Sequence, residues 1–139
     1  MRKLEAKYKR AEREAVRAEC YHTADADIVL VGYGIVGRVL KAAVQAARAQ
    51  GLRLGLLRPI TLYPFPVEQI RHLARRALAF AVVELSTGQL VEDVRLALEG
   101  RQPVEFHSRV GGNVPSTEEV LAFVQEVCRR QLPVEATYA

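Results

Sequence analysis

The sequence has 139 residues, of which 50% are hydrophobic and 26% are charged, as is typical of a single soluble globular domain. No apolar stretch approaches the roughly 18 residues of a membrane span, and the N-terminus is charged rather than apolar. We therefore expect a cytoplasmic protein that neither crosses nor binds a membrane. Residues 1–19 hold seven Lys or Arg against four Glu, so the rest of the chain contributes only +1 to the net charge of +4. Because no aromatic residues are interleaved with these cations, we expect no nucleic-acid binding.

The first 17 residues are the most charged part of the chain. Acidic and basic residues alternate there, for example Glu5 with Lys9 at i,i+4, as they do along a solvated helix. We therefore predict a charged lead-in helix or connector over residues 1–17, one domain over residues 18–130 and a flexible tail over residues 131–139.

Four later segments have the patterns of strands. Residues 28–31, 52–57 and 80–85 are almost entirely apolar, which is typical of strands covered on both faces of a sheet. Residues 104–109 alternate between apolar and polar, which predicts an edge strand. The predicted strand bounds are 27–32, 53–58, 79–85 and 103–109.

Helical patterns lie between these strands. Apolar residues recur at i, i+3, i+4 and i+7 from Val36 to Ala47, and Gly51 closes this helix. Pro66 suits the first turn of a second helix. The predicted buried stripe of that second helix consists of Ile70, Leu73, Ala74 and Ala77.

Two capping-box spacings predict the starts of the third and fourth helices. Ser86 with Gln89 precedes a helix that carries Leu90, Val91, Val94 and Leu98 inward, and Ser116 with Glu119 precedes one that carries Val120, Val124 and Val127 inward. Strands that alternate with helices of this length predict a three-layer α/β/α sandwich with a mostly parallel sheet.

The turn after the first buried strand contains a glycine array. Residues 30–44, LVGYGIVGRVLKAAV, place Gly32, Gly34 and Gly37 in the spacing G-x-G-x-x-G. A dinucleotide site also needs a carboxylate about 20 residues on, to bind the ribose, but no Asp or Glu occurs between Asp27 and Glu68. Because a tight strand-to-helix turn needs small residues for steric reasons alone, we favour a structural turn.

The alternative is a freestanding nucleotide-binding or regulatory module that uses this turn. Arg58 ends the second predicted strand, where it could meet the 2′-phosphate of NADP. Other chemistry has little support, because the three histidines are scattered and no nucleophile elbow or P-loop lysine occurs. Cys20 and Cys128 have no metal-ligand spacing and are expected to be free thiols. We expect the chain to bind no cofactor or metal and to be a module rather than a complete enzyme.

Functional residues are best sought where the parallel strands end. Glu84 ends a buried strand and needs hydrogen-bond donors there, for which we expect the N–H groups of Gly88 and Gln89 and the guanidinium of Arg58. The predicted domain-interface or ligand-facing residues are therefore Gly32, Tyr33, Gly34, Arg58, Glu84, Gly88 and Gln89. The alternative to a docking role for this loop is a purely structural one, in which Ser86 and Gln89 only cap the helix.

Several stretches together resemble a known family. These are DADIVLVGYGIVGRVLKAAVQAARAQGLRLGLLRPITLYPFP, VVELSTGQLVEDVRLALEG and PVEFHSRVGGNVPSTEEVL, which cover roughly residues 20–125. They are similar to the second domain of 2-oxoacid:ferredoxin oxidoreductase alpha subunits, in the branch that acts on 2-oxoglutarate or 2-oxoisovalerate. The resemblance implies a transketolase C-terminal-like fold with strand order 1-3-2-4-5, in which residues 18–21 form an antiparallel first strand.

The resemblance also implies a place in a larger enzyme. The family oxidatively decarboxylates a 2-oxoacid to an acyl-CoA, with CoA and ferredoxin as substrates and with thiamine diphosphate and iron–sulfur clusters held by other domains or subunits. This chain lacks the family's G-D-G…N diphosphate motif and its cluster cysteines, and it has Ser86 where relatives commonly have Asn. It is therefore expected to be a docking domain whose partners are the other domains of that complex, or else a scaffold that joins thiamine enzymes.

Overall fold

The computed structural model describes residues 18–60, 64–85, 88–109 and 113–133. The predicted lead-in helix over residues 1–17 lies outside these ranges, as do residues 134–139 of the predicted tail.

Five described strands form one sheet. Their bounds are β1 Ala18–Tyr21, β2 Ile28–Val31, β3 Leu54–Pro59, β4 Ala79–Glu84 and β5 Val104–Ser108, in the order β1-β3-β2-β4-β5. β1 pairs antiparallel with β3, with Ala18 opposite Pro59 and Tyr21 opposite Leu56, and the other pairs are parallel. The predicted topology and its antiparallel first strand are confirmed.

Helices cover both faces of the sheet. They are α1 Gly34–Ala49, α2 Val67–Leu73, α3 Gln89–Leu98 and α4 Thr117–Gln131. Ile28 and Leu30 of β2 pack with α1 and α4, whereas Val29 and Val31 pack with α2 and α3. Because successive strand residues point to opposite faces, a strand buried on both faces must be apolar throughout, as β2 is. The predicted three-layer sandwich is confirmed. None of the helices in the described ranges has the length and apolarity needed to cross a lipid bilayer.

The helix starts and ends confirm some predictions and correct others. The Ser116 hydroxyl accepts a hydrogen bond from the Glu119 amide at 3.1 Å, as the capping box predicts. The second helix, α2, ends at Leu73, so Ala74 and Ala77 are buried in the turn that follows it rather than on a helical stripe. Ser86 of the second predicted capping box lies outside the described residues, but the predicted helix start is wrong, because α3 begins at Gln89 with Gly88 as its N-cap.

The turn between β1 and β2 is packed tightly against β3. Arg48, in the last turn of α1, donates hydrogen bonds to the His22 carbonyl at 2.7 Å and to the Asp25 carboxylate at 2.6 Å. The Nε of Arg48 also donates to the Leu54 carbonyl at 2.8 Å. Gly55 of β3 faces this turn, which leaves no room for a side chain there.

Candidate functional site

Most of the predicted site residues lie at one end of the sheet. Gly32 and Tyr33 follow β2, Arg58 precedes the last residue of β3, and Glu84 ends β4. The carboxyl ends of parallel strands share one edge, which we call the carboxyl edge. Gly88 and Gln89 reach the same edge at the start of α3, which follows β4.

Glu84 is the most buried acidic residue of the carboxyl edge, with 2% of its surface exposed. Its Oε2 accepts a hydrogen bond from the Leu90 amide at 3.2 Å, and its Oε1 accepts one from the Val91 amide at 3.4 Å. The sequence predicts the amides of Gly88 and Gln89 as the donors, but the observed donors lie two residues further along the chain. Because Gly88 is the N-cap, the amides that a capping oxygen satisfies are those of Leu90 and Val91. Glu84 therefore caps α3 from the preceding strand, in a position where the helix dipole favours an anion.

Arg58 packs on the α1 side of the edge. It lies on β3, and Glu84 lies on β4, so β2 separates the two residues in the sheet. One guanidinium nitrogen is 3.8 Å from the Glu19 carboxylate, and the other is 3.5 Å from the Gly34 carbonyl. The stem of Arg58 lies where a side chain on Gly37 would stand, with Nε only 2.8 Å from the position of an added Cβ. Arg58, which the sequence predicts as a donor to Glu84, is thus oriented toward Glu19 and the glycine turn instead.

Each glycine of the array has a steric or conformational role within the chain itself. A Cβ on Gly32 would lie 2.4 Å from Leu40 Cδ1 and 3.2 Å from the Val83 carbonyl oxygen, so Gly32 allows α1 to approach the sheet. Gly34 has φ +61°, in the left-handed region that favours glycine. Gly37 makes room for Arg58. These contacts favour the structural turn over the dinucleotide site.

We predict that NADP gives no saturable heat when titrated into the protein in a calorimeter. Gly32 and Gly37 of the turn are packed closely against Leu40 and Arg58, and the ribose carboxylate is absent. NAD and FAD serve as comparison ligands. A micromolar NADP isotherm that disappears in Arg58→Ala would contradict the prediction and support the nucleotide-binding alternative.

A polar cluster at the end of β5 was not found by sequence reasoning. His107 Nε2 lies 2.9 Å from Glu119 Oε2, and Arg109 binds both oxygens of the same carboxylate, at 3.1 and 2.5 Å. The Arg109 amide also donates to the Glu84 carbonyl at 3.1 Å, which joins the cluster to the carboxyl edge. The available signal was the alternation of residues 104–109, which places His107 and Arg109 on the same face of the strand.

The electrostatics of this cluster favour a charged carboxylate. The hydrogen bond from His107, followed by those from Arg109, holds the pKa of Glu119 below its usual range. A carboxyl group whose pKa is lowered by folding stabilises the folded state above its ordinary pKa of about 4.3. That stabilisation is lost as the pH falls through the lowered value, so the cluster contributes at neutral pH.

The two thiols lie on different elements and differ in environment. Cys20 is exposed on β1, whereas Cys128 is buried in α4. Burial, followed by the negative charge of Asp27, raises the pKa of Cys128 to about 11. Since the thiolate is the metal ligand and the nucleophile, Cys128 serves as a core residue. Within the part of the chain that the structure describes, no three His, Cys, Asp or Glu residues are grouped to hold a metal ion.

Comparison with known proteins gives matches over most of the chain. Residues 26–120 match the family described as pyruvate:ferredoxin oxidoreductase core domain II. Ketoisovalerate oxidoreductase subunit VorB of Methanothermobacter marburgensis is 48% identical over 124 residues, covering 89% of this chain and 35% of that protein. The 2-oxoglutarate synthase subunit KorA of the same organism is 35% identical over 99 residues, covering 71% and 26%. The chain thus spans between about a quarter and about a third of the length of these curated relatives.

Two solved structures are similar in fold. The 2-oxoglutarate:ferredoxin oxidoreductase from Magnetococcus marinus superposes with a TM-score of 0.71 at 23% identity, over 79% of this chain and 19% of that one. A split-gene transketolase superposes with a TM-score of 0.71 at 20% identity, over 83% and 42%. The sheet order and the antiparallel first strand are therefore those of a transketolase-like fold.

Proposed function

Because the chain belongs to the pyruvate:ferredoxin oxidoreductase core domain II family, we propose that it is a docking and structural domain of a 2-oxoacid:ferredoxin oxidoreductase. The complete enzyme would decarboxylate a 2-oxoacid oxidatively to an acyl-CoA and pass the electrons to ferredoxin. In this proposal the present chain completes the assembly and leaves the chemistry to other domains or subunits.

The observation that carries the proposal is that the Glu84 carboxylate is buried and hydrogen-bonded within the chain. A general acid or base must reach the substrate, directly or through one water. Glu84 is the best-placed carboxylate of the carboxyl edge, yet it is buried and accepts the amides of Leu90 and Val91. Glu119, a second carboxylate near this edge, binds His107 and Arg109. Both carboxylates thus hold the fold together at the edge where a catalytic group would be expected.

The residues of this chain do not fit the cofactors that the family implies. An iron–sulfur cluster is held by about four cysteine thiolates, and the whole sequence contains two cysteines, one of them buried in α4. The metal ion that accompanies a diphosphate takes one or two protein carboxylates besides the phosphate oxygens, and at the carboxyl edge Glu84 and Glu119 already accept hydrogen bonds from within the chain. We therefore propose that thiamine diphosphate and the clusters are bound by the partners of this chain.

An assay of the chain alone and of the assembled complex tests this proposal. We expect no reduction of viologen dye by the chain alone with 2-oxoisovalerate or 2-oxoglutarate, CoA and thiamine diphosphate. When the chain is co-expressed with the cognate thiamine-binding polypeptide, we expect the two to co-elute in size-exclusion chromatography. Turnover by the isolated chain would reveal an active site in it, and failure to co-elute would remove the docking role.

A further inference from the structure

Large apolar side chains are exposed unevenly over the surface. Among the described residues, five such side chains are exposed, and three of them lie at the carboxyl edge. These three, which we call the edge patch, are Tyr33 at 36%, Ile35 at 56% and Ile60 at 61% exposure. Of the other two, Leu78 precedes β4 at the opposite end of the sheet, and Leu96 lies on α3. A single exposed apolar residue such as Leu96 is ordinary, whereas a group at one edge marks a binding surface.

The topology brings the edge patch together. β2 and β3 are neighbouring parallel strands, and the Gly32 amide still donates to the Leu57 carbonyl at 3.4 Å beyond the end of β2. Tyr33 and Ile35 follow one strand directly, and Ile60 follows the other. The patch therefore spans the ends of two adjacent strands about 4.8 Å apart.

The exposure of Ile35 and Ile60 is not required by the fold. The buried side of α1 consists of Val36, Gly37, Leu40, Ala43, Val44 and Ala47, and it already fills the space against the sheet. Ile35 points away from that stripe, and Ile60 follows Pro59, the last residue of β3. A Cβ on Gly34 would meet no described atom within 4 Å beyond those of its two chain neighbours, so the turn that carries Tyr33 and Ile35 faces outward.

We propose that the edge patch binds an apolar surface of the oxidoreductase region that lies outside the matched domain in the longer relatives, with Arg58 at its polar rim. The inference rests on the proposed function and specifies the contact. The curated relatives are nearly three times as long as the matched region, so about two-thirds of their length lies outside it and can supply such a surface. With the described residues, the Arg58 guanidinium makes only the long contacts of 3.5 and 3.8 Å given above, which leaves it able to bind a carboxylate of the partner. A charged group around an apolar centre is the usual anatomy of an interface.

The experiment uses biolayer interferometry to measure the dissociation constant between the chain and the cognate thiamine-binding polypeptide. It compares the wild-type chain with the double variant Ile35→Ser/Ile60→Ser. Each isoleucine that is desolvated at an interface centre changes affinity by about tenfold, so we expect binding to weaken by about 100-fold. Leu96→Ser is the matched control, because Leu96 is even more exposed, at 72%, but lies on α3. It should stay within about twofold of wild type.

The unfolding, binding and sedimentation results separate a folding defect, the edge patch, the docking role and self-association from one another. Thermal unfolding of both variants close to that of wild type shows that an affinity loss is not a folding defect. If the wild-type chain and the double variant bind equally well, the edge patch is not the binding surface, and the docking role itself still stands. A wild-type chain that does not bind removes the proposed function and the inference with it. If sedimentation shows a wild-type dimer that the double variant abolishes, the occupant is a second copy and the proposal is wrong.

Discussion

Replacing Gly55 by alanine is expected to lower the free energy of unfolding by about 3 kcal/mol, the upper end of the usual cost of overpacking a core. The added Cβ would stand 2.8 Å from the His22 carbonyl oxygen, 2.9 Å from Ala26 Cβ and 3.0 Å from Thr23 Cα. These are mostly backbone atoms, and Arg48 fixes the turn that carries them. The alanine can therefore be accommodated only if β3 and the turn move apart. Urea denaturation monitored by circular dichroism measures the change.

Gly37→Ala is the matched control for this prediction. Its Cβ would meet Arg58 Nε at a similar distance of 2.8 Å, but the side chain of Arg58 is partly exposed and can move aside. The substitution also gains about 0.5–1 kcal/mol of helix propensity within α1. We expect the net change in unfolding free energy to stay within about 1 kcal/mol of zero. Equal losses in the two variants would show that the short distance alone, and not the rigidity of the neighbour, sets the cost.

Removing the Glu84 carboxylate is the second large effect that we expect. Glu84→Ala leaves the amides of Leu90 and Val91 without their buried acceptor, which costs about 1–3 kcal/mol. Glu92→Ala is the control, because Glu92 also lies in the first turn of α3 but is exposed. That control should lose at most about 1 kcal/mol, through the helix dipole alone. Denaturant unfolding of both variants makes the comparison, and equal losses would contradict the capping role of Glu84.

A second measurement on the Glu84 variant separates charge from packing. Burial raises the pKa of Asp93, and the negative charges of Glu84 and then Glu92 raise it further. Removing the Glu84 charge should therefore lower the pKa of Asp93 toward its ordinary value, which an NMR titration of its carboxyl carbon can follow. An unchanged Asp93 titration would mean that Glu84 carries no charge that Asp93 experiences.

The sequence predicts the core strands and most helices well, because their apolar periodicity is the same pattern that packing uses. β2 is apolar throughout since both of its faces are covered, and Ser116 marks the start of α4 since its hydroxyl caps that helix. The weaker prediction was β1, whose four residues alternate too briefly to specify a strand. Its pairing with β3 depended on the family resemblance.

The contacts at the carboxyl edge were less predictable than the elements that carry them. The sequence places the donors to Glu84 two residues too early because its capping-box spacing starts the helix at Ser86, whereas Gly88, at φ 109°, is the actual N-cap. Spacing rules identify residues that could cap a helix, but a carboxylate from the previous strand can take that role and shift the register. The partners of Arg58 depend on the space above Gly37, which a one-dimensional pattern does not contain.

The antiparallel first strand has a consequence for how the domain would be attached to a longer polypeptide. Ala18 lies opposite Pro59, so the described chain enters the sheet at the carboxyl edge, beside the edge patch. A polypeptide joined ahead of β1 would therefore hold its own surface near the patch by covalent linkage. A short link of this kind gives an effective concentration of about millimolar, so even a weak contact would be almost fully formed. When the same partner is a separate molecule, the contact must supply that affinity by itself, and Ile35 and Ile60 would then matter most.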